Sequence, residues 1–279
     1  MLPALTPYLL FMIVPLLLGF YYSFTDLNPL FPDTSFVGLQ NYRDLPQDSD
    51  FLRSVRNTLV ISVIVTLLTN VLGLGVALLL NHPGRLFYTL RTLFFVPQVL
   101  SAVIVSFIWS IILTQNGILN TVLRNAGLGE LARPWLGLPG TALGSIMLVV
   151  TWQALGFCVV VYLATLQSIP ADLFEAARID GGNRWEQFRH ITFPLLAPGM
   201  TITVVLTMIS VFKLYDHVAV LTAGGPAGTT ETLSFNIIKV GFTANQAGYS
   251  SAMAVVLFVV IGCISVALTS LLRRREVTY

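Results

Sequence analysis

The sequence predicts an all-α polytopic membrane protein, and three observations carry that prediction. Of the 279 residues, 55% are hydrophobic and only 10% are charged, and the mean hydropathy is +0.81. Soluble domains carry about 25% charged residues, so this chain lacks the ionised groups that cover a globular surface. The apolar residues are also gathered into runs of the ~20 residues that a helix needs to cross ~30 Å of hydrocarbon. About six transmembrane helices are therefore expected within a single membrane domain over residues 1–279, with spans near 6–24, 58–80, 93–114, 142–166, 200–221 and 252–272.

Composition and charge also exclude several kinds of protein. A net charge of +2 is too small to indicate nucleic-acid binding. Cys158 and Cys263 both lie inside apolar runs, so a disulfide framework is not expected. Neither the cysteines nor the histidines have the spacing of metal ligands, so we expect no metal site.

The first apolar run, 6–24, could be mistaken for a cleaved signal peptide. No Lys or Arg precedes it, and no small-residue cleavage site is evident before Asp26. We therefore interpret it as a span that is retained in the mature protein.

The short connections between spans set the expected orientation, because loops with a surplus of Lys and Arg stay in the cytoplasm. Three short segments are basic: the connection after the second span, the connection after the fourth span and the C-terminal tail. With six spans these segments all lie on one side. Both termini and the segment 168–198 are therefore expected in the cytoplasm, together with Arg85, Arg91, Arg178, Arg184, Arg189, Arg273, Arg274 and Arg275.

The segment 168–198, between spans four and five, is rich in charge and predicts two short helices. The first should end at Gly181 and Gly182, because glycine tolerates the left-handed conformation of a helix end. Asn183, with Glu186 three residues later, has the spacing of a capping box for the second helix. Helix chemistry alone explains a passive connection and a docking surface equally well.

The connection between the last two spans contains Gly224, Gly225 and Pro226, which must break a helix. The apolar stretch 233–242 then leads back towards the sixth span. The sequence has no GxxxxGK[ST] phosphate-binding loop. The chain is therefore not expected to hydrolyse nucleotides itself.

Residues of the segment 168–198 also match a known signature. The runs Glu175-Ala176-Ala177 and Asp180-Gly181, followed by Phe188, Ile191, Pro194 and Pro198, resemble the EAA signature of membrane subunits in binding-protein-dependent ABC importers. The departure is Gly182, where that family often has alanine. Further similarity covers most of the chain, including FVGLQNYRDL (36–45) and LRTLFFVPQVLSAVIVSFIW (90–109). The run LTAGGPAGTTETLSF (221–235) resembles the close of the maltose-permease F-like half of carbohydrate importers.

This resemblance implies an ABC type I importer permease fold with a cytoplasmic coupling helix. It implies a bacterial or archaeal cytoplasmic (inner) membrane and a non-catalytic subunit that binds no cofactor. The implied partners are a second, similar permease subunit, two cytoplasmic ATPase subunits that bind ATP and Mg, an extracytoplasmic solute-binding protein and membrane lipid. The residues implied to contact the ATPase are Glu175, Ala176, Ala177, Asp180, Gly181 and Gly182.

Polar groups at membrane depth indicate where a solute could pass, because they usually face a water-filled interior or a partner. The solute site of maltose-type importers is similar in location, formed by the spans on either side of the EAA segment. A sugar site combines hydroxyl-matching groups with apolar surface. The alternative, that Ser and Thr bond their own helix or a neighbour, is common in spans and stays open. The candidates for the solute pathway are Gln153, Phe157, Thr207, Ser210 and Leu214.

The sequence favours one transmembrane subunit of an ATP-driven importer for sugars or oligosaccharides. A glycerol-phosphate importer permease shares much of the closing pattern, but an anionic solute favours basic groups in the cavity, and Lys213 is the one candidate. A secondary transporter driven by an ion gradient would predict carboxylates in mid-span, and Asp216 lies near a span end. An intramembrane enzyme would need a nucleophile–base pair or a metal cluster within the spans.

Overall fold

The structure, a computed structural model, describes residues 2–31 and 33–274, with the backbone alone for residues 2–4. The described chain is helical, apart from turns and one isolated antiparallel bridge between Thr25 and Phe36. We number the helices in chain order: α1 (Leu2–Tyr8, the π turn Leu9–Ile13 and Val14–Tyr22), α2 (Gln40–Asp44), α3 (Ser49–Leu80), α4 (Arg85–Val99), α5 (Ala102–Ile112), α6 (Ile118–Asn125), α7 (Pro139–Gln167), α8 (Ala171–Ile179), α9 (Arg184–Leu195, with a π turn at Phe188–Thr192), α10 (Ala197–Phe212), α11 (Asp216–Leu221), α12 (Leu233–Ile238 and the π turn Lys239–Thr243) and α13 (Ala247–Arg273).

Four of these helices are long and apolar enough to cross a membrane: Leu5–Tyr22 within α1, and α3, α7 and α13. Two further pairs, α4 with α5 and α9 with α10, pass the same test only as pairs, and they bend by 99° and 59°. The described chain thus has four candidate spans, or six if each bent pair counts as one. The all-α prediction is confirmed, and the expected six spans are the upper count.

The second span begins earlier than predicted, at Ser49 rather than near residue 58. Asp48 caps the helix there, because its side chain accepts hydrogen bonds from the backbone N–H groups of Asp50 (2.9 Å) and Phe51 (3.2 Å). The apolar run begins inside α3, whereas the helix itself starts at the residue that follows the Asp48 cap.

The third span, predicted as continuous over 93–114, is broken between α4 and α5. Leu100 and Ser101 take extended backbone conformations at the break. Pro97 lies in the last turn of α4, where it lacks a backbone donor and weakens the helix. The predicted span therefore corresponds to a bent pair of helices, because an apolar run by itself does not reveal a break.

The fifth span, predicted over 200–221, is also interrupted. α10 ends at Phe212 and α11 starts at Asp216. Side chains from the segment before and within α12 bond the carbonyls that the break releases. The Thr232 hydroxyl donates to the Leu214 carbonyl at 2.6 Å, and the Ser234 hydroxyl donates to the Phe212 carbonyl at 3.3 Å.

The centre of the bundle is α7, which packs against α3, α4 and α10. The closest approaches occur at glycines, where the missing side chain lets backbones meet. A Cβ atom on Gly73 of α3 would lie 2.7 Å from the Cβ of Cys158, and one on Gly156 would lie 2.6 Å from the Phe94 carbonyl oxygen of α4. These contacts hold α3 and α4 tightly on α7.

The basic segments meet at one end of the bundle. The Arg91 guanidinium donates to the Leu80 carbonyl at 2.8 Å, which joins the start of α4 to the end of α3. Phe193 of α9 and Leu272 of α13 line one small groove, so the last turn of α13 lies beside the segment 168–198. Arg275, the last residue of the predicted basic tail, lies outside the described residues.

We predict that Gly73→Ala lowers the stability of the protein, because its Cβ has no room against Cys158. The overpacking should cost about 1–3 kcal/mol. The matched control is Gly75→Ala on the same helix, where a Cβ meets nothing within 4 Å. It should be neutral or stabilise by about 0.5–1 kcal/mol. Thermal unfolding of the purified complex in detergent measures both variants, and equal transitions would contradict the close packing of α3 on α7.

Candidate functional site

A cavity of about 410 Å³ lies between α7 and α10, beside the break between α4 and α5. It is lined by residues at helical spacing from both long helices and by single residues from α4, α5 and α11. The structure brings all five residues nominated from the sequence together at this cavity: Gln153, Phe157, Thr207, Ser210 and Leu214. Their contact with a solute remains a prediction.

The cavity has an apolar wall and a small set of uncharged polar groups. Phe157, Leu206, Val211 and Leu214 supply apolar surface. No Lys, Arg, Asp or Glu is found among the described residues that line it. Lys213, the basic group considered for an anionic solute, is exposed and is not part of the lining. Such a lining suits an uncharged solute that has both hydroxyl groups and apolar faces.

The hydroxyl groups of α10 differ in how they are bonded. The Thr203 hydroxyl donates back to the Gly199 carbonyl (3.0 Å), as the common alternative for spans expects. Thr207 Oγ1 lies 3.7 Å from the sulfur of Cys158. Ser210 is exposed to the cavity, and its hydroxyl makes no hydrogen bond to any other described residue. The Ser210 hydroxyl can therefore both donate and accept a hydrogen bond with a solute.

Gln153 spans the cavity and joins the two broken spans. Its side-chain Nε2 donates to the carbonyl oxygen of Leu100 at 2.9 Å, which is the carbonyl at the break between α4 and α5. Its Oε1 lies 2.7 Å from Nε2 of His217 on α11. Gln153 is only 9% exposed. Its amide therefore holds the cavity walls together as well as facing the cavity.

The five residues nominated from the sequence did not include His217 and Gln98, which also line the cavity. His217 continues the spacing of Thr207, Ser210 and Leu214 along the fifth span, so periodicity was the available signal. Gln98 offered none, because the bend that turns α4 towards the cavity was not expected.

The segment 168–198 ends its first helix with a complete Schellman motif. Gly181 has φ +81° and lies just after the helix, where a left-handed residue is required. Its N–H donates to the Arg178 carbonyl at 3.1 Å, and the N–H of Gly182 donates to the Ala177 carbonyl at 2.8 Å. A Cβ on Gly182 would lie 2.9 Å from that same carbonyl oxygen. Glycine at 182 thus matches this turn more closely than alanine would.

The second helix, α9, starts with the predicted capping box. Asn183 Oδ1 accepts from the N–H groups of Trp185 (2.9 Å) and Glu186 (3.0 Å), while Glu186 Oε2 accepts from the N–H of Asn183 (2.8 Å). Trp185 stacks on Phe188 with ring centroids 5.7 Å apart. Two rigid short helices therefore meet at a tight turn.

The helix α8 has no buried residue in this chain. Ile179 at its end is 87% exposed, and Trp185 across the turn is 65% exposed. Among the residues implied for ATPase contact, Ala177 and Gly182 are half-buried, and the exposed ones are Glu175, Ala176, Asp180 and Gly181. Large apolar groups left in water beside small residues are typical of a surface that another protein covers.

The segment 168–198 connects to the cavity through both flanking helices. α7 runs from Gln153 to its end at Gln167, a length of about 20 Å at 1.5 Å per residue. α10 begins after the 59° bend that follows α9. α10 packs on α7 where a Cβ on Gly199 would lie 2.3 Å from Thr165 Oγ1. The segment 168–198 is therefore bordered by the two helices that supply most of the cavity lining.

Comparison with known proteins identifies the family. The model described as "Binding-protein-dependent transport system inner membrane component" matches residues 69–277. The chain belongs to this family. The match covers α7 to α10, and therefore both the segment 168–198 and the cavity.

Individual relatives agree with that assignment. The permease is 36% identical over 275 residues to the "probable starch degradation products transport system permease protein AmyD" of Thermoanaerobacterium thermosulfurigenes, covering 99% of this chain and 93% of the relative. It is 33% identical over 264 residues to the "trehalose/maltose transport system permease protein MalF" of Thermococcus litoralis, covering 93% and 88%. Its fold matches a solved bacterial ABC transporter "involved in the import of the acidic polysaccharide alginate", with a TM-score of 0.86, 24% identity and coverage of 98% and 93%.

The family assignment confirms the predicted type of subunit and part of its predicted partners. The permease is the non-catalytic, multi-pass inner-membrane subunit of a prokaryotic binding-protein-dependent ABC importer. It works with an external binding protein and with an ATPase that binds the ATP. The alternative of an ion-driven secondary transporter is thereby excluded.

We predict that Gln153→Leu destabilises the permease, because the Leu100 carbonyl and the His217 N–H both lose their partner. Leaving buried polar groups unpaired should cost about 2 kcal/mol. Gln98→Leu is the matched control, since Gln98 is exposed and its amide bonds no other described residue. Thermal unfolding of the two variant complexes in one detergent gives the comparison. Equal transitions would show that Gln153 does not hold the broken spans.

Proposed function

We propose that this permease forms one half of the membrane pathway for a neutral sugar or short oligosaccharide. The observation that carries the proposal is the lining of the cavity, which combines apolar wall, hydroxyl and amide groups without a charged side chain. The names of the two relatives mention starch degradation products and trehalose/maltose, which are neutral carbohydrates. The alginate importer shares the fold but takes an acidic polysaccharide, so the fold alone leaves solute charge open.

We infer that a glycerol-phosphate solute is disfavoured. A phosphate at membrane depth needs cationic or multiple N–H partners. Lys213, the basic residue considered for an anionic solute, is exposed and is not among the described residues that line the cavity. No residue of α8 is among the described residues that line the cavity.

A second, similar permease subunit would complete the pathway. The described lining of the cavity comes from α4, α5, α7, α10 and α11 of this chain, together with Leu214. Beside it, α5 exposes Val103 (47%), Phe107 (61%) and Ile111 (52%). An apolar face next to half a cavity suits a partner with the same architecture, while lipid covers the outward faces of α1 and α13.

The coupling role belongs to α8 and the turn at Gly181 and Gly182. One ATPase subunit would lie beneath each permease and receive α8 in a groove, with Glu175, Ala176, Ala177 and Asp180 at the contact. Closure of the ATPase dimer would move α8, and α7 and α10 would carry that movement to the cavity. This places the segment 168–198 and both termini in the cytoplasm, as the charge distribution predicts.

We predict that Gly181→Ala uncouples the complex. Alanine at φ +81° is strained by about 1 kcal/mol, so the turn that presents α8 should distort. Solute-stimulated ATPase activity of the assembled complex should fall about fivefold, in line with that strain. Glu175→Ala should lower it as well.

The matched control for this coupling test is Gly127→Ala, because Gly127 has φ +77° and open space around it but lies in the connection after α6. It carries the same backbone strain at the opposite end of the bundle. Wild-type stimulation in Gly181→Ala, with intact assembly, would contradict the coupling role. Equal losses in both variants would assign the effect to general strain.

We predict that the reconstituted complex takes up neutral carbohydrates and rejects anionic ones. Proteoliposomes that contain the full complex, with its binding protein outside, are offered labelled pentoses, maltose, trehalose and maltotriose. Glycerol 3-phosphate and an alginate oligosaccharide serve as the anionic probes. ATP-dependent uptake of at least one neutral sugar is expected. Uptake restricted to an anionic probe, or uptake of none, would contradict the proposed solute class.

A further inference from the structure

We propose that His217 determines specificity in this cavity: its Nδ1 accepts a hydrogen bond from one hydroxyl group of a neutral sugar, and Gln153 is the positioning residue that keeps Nδ1 available. The proposal rests on the proposed function, which it deepens by naming a recognition atom. It starts from the observation that Gln153 bonds two different groups at once.

The orientation of the Gln153 amide follows from its partners. A backbone carbonyl oxygen can only accept, so the atom that faces Leu100 O at 2.9 Å must be the amide nitrogen. The amide oxygen therefore faces His217. An inverted amide would place two oxygens in contact and lose the bond to the broken helix.

The tautomer of His217 follows in turn. The Gln153 oxygen lies 2.7 Å from Nε2 and can only accept, so Nε2 must carry the proton. In the neutral imidazole, Nδ1 then holds a lone pair and is an acceptor. A charged ring is disfavoured here, because the described lining has no acid and the described ion pairs do not include His217. The neighbouring Asp216 is exposed.

The acceptor Nδ1 remains open. No hydrogen bond within the described residues engages it. The buried side-chain atoms that lack a partner in the described chain are the hydroxyl oxygens of Ser62, Thr69, Ser106 and Thr151, so Nδ1 is not among the enclosed atoms. Since His217 lines the cavity, we infer that its Nδ1 opens into that space.

The chemistry around this acceptor selects the ligand. A lone pair at a fixed position attracts a hydroxyl donor and repels a carboxylate or phosphate oxygen. The free hydroxyl of Ser210 adds a group that can donate or accept, and Phe157 offers a ring face to the apolar side of a sugar. Gln153 cannot itself supply this acceptor, because its oxygen is already bonded to His217.

The test pairs the His217→Leu variant with altered sugars. The complete complex in proteoliposomes is given the neutral sugar that the wild type transports best from the panel above, and then a set of its monodeoxy derivatives. One derivative should be transported about three- to tenfold less efficiently by the wild type, the range expected for one hydrogen bond. His217→Leu should transport the parent sugar with a similar loss and should show no further loss for that one derivative. All other derivatives should behave alike in both proteins.

The external binding protein is wild type in every assay, so its own preference cancels in the ratio of variant to wild type. The matched control is His82→Leu. His82 lies in the connection between α3 and α4 and packs on Phe87, away from the cavity, so the wild-type pattern should persist. Gln153→Leu should weaken the penalty for the same derivative, because the ring is no longer oriented. Equal penalties for every derivative in wild type and His217→Leu would overturn the proposal.

A second measurement decides the matter if His217→Leu does not assemble. The chain has three histidines, His82, His190 and His217, so a complex with ¹⁵N-histidine in this subunit gives few ring signals. His82 and His190 substitutions assign them. The His217 Nδ1 signal should be that of an unprotonated nitrogen and should move when the transported sugar is added. A protonated Nδ1, or no response to the sugar, would refute the proposal. If the wild type transports no neutral sugar at all, the proposed function fails instead.

Discussion

Backbone groups released from a helix at membrane depth must find new partners, because hydrocarbon offers none. This constraint decides where the permease can break its helices. The bend between α4 and α5 is tolerated because Gln153 donates to the Leu100 carbonyl. The break after α10 is tolerated because the Thr232 and Ser234 hydroxyls donate to released carbonyls. Each break is therefore tied to a specific side chain from another part of the chain.

The same breaks shape the cavity. The bend at Leu100 brings Gln98 and Ala102 to the cavity, and the break after α10 turns His217 inwards. α7 and α10 are continuous helices of 29 and 16 residues, and they flank the segment 168–198. The result is a cavity with polar groups held by a few hydrogen bonds, flanked by two helices that border the exposed segment 168–198.

Much of the fold followed from local chemistry in the sequence. Apolar runs predicted α1, α3, α7 and α13, and capping residues predicted the helix–turn–helix of the segment 168–198. Glycine and the Asn183–Glu186 pair act on their immediate neighbours, so their effect is readable without the fold. The start of α3 was placed too late, because Asp48 caps the helix outside the apolar run. The bend at residues 100–101 was missed, because its stabilising partner lies 53 positions away.

The sequence by itself determined the class of protein, the apolar runs, the charge asymmetry and the segment that resembles the EAA signature, since each depends on composition or on neighbouring residues. It also nominated five residues that the structure places at one cavity. Only the tertiary structure decided that His217 joins them and that Gln153 bonds both broken spans. The physical reason is that hydrogen bonds between distant helices depend on how α4, α7 and α11 pack, and no local pattern encodes that packing.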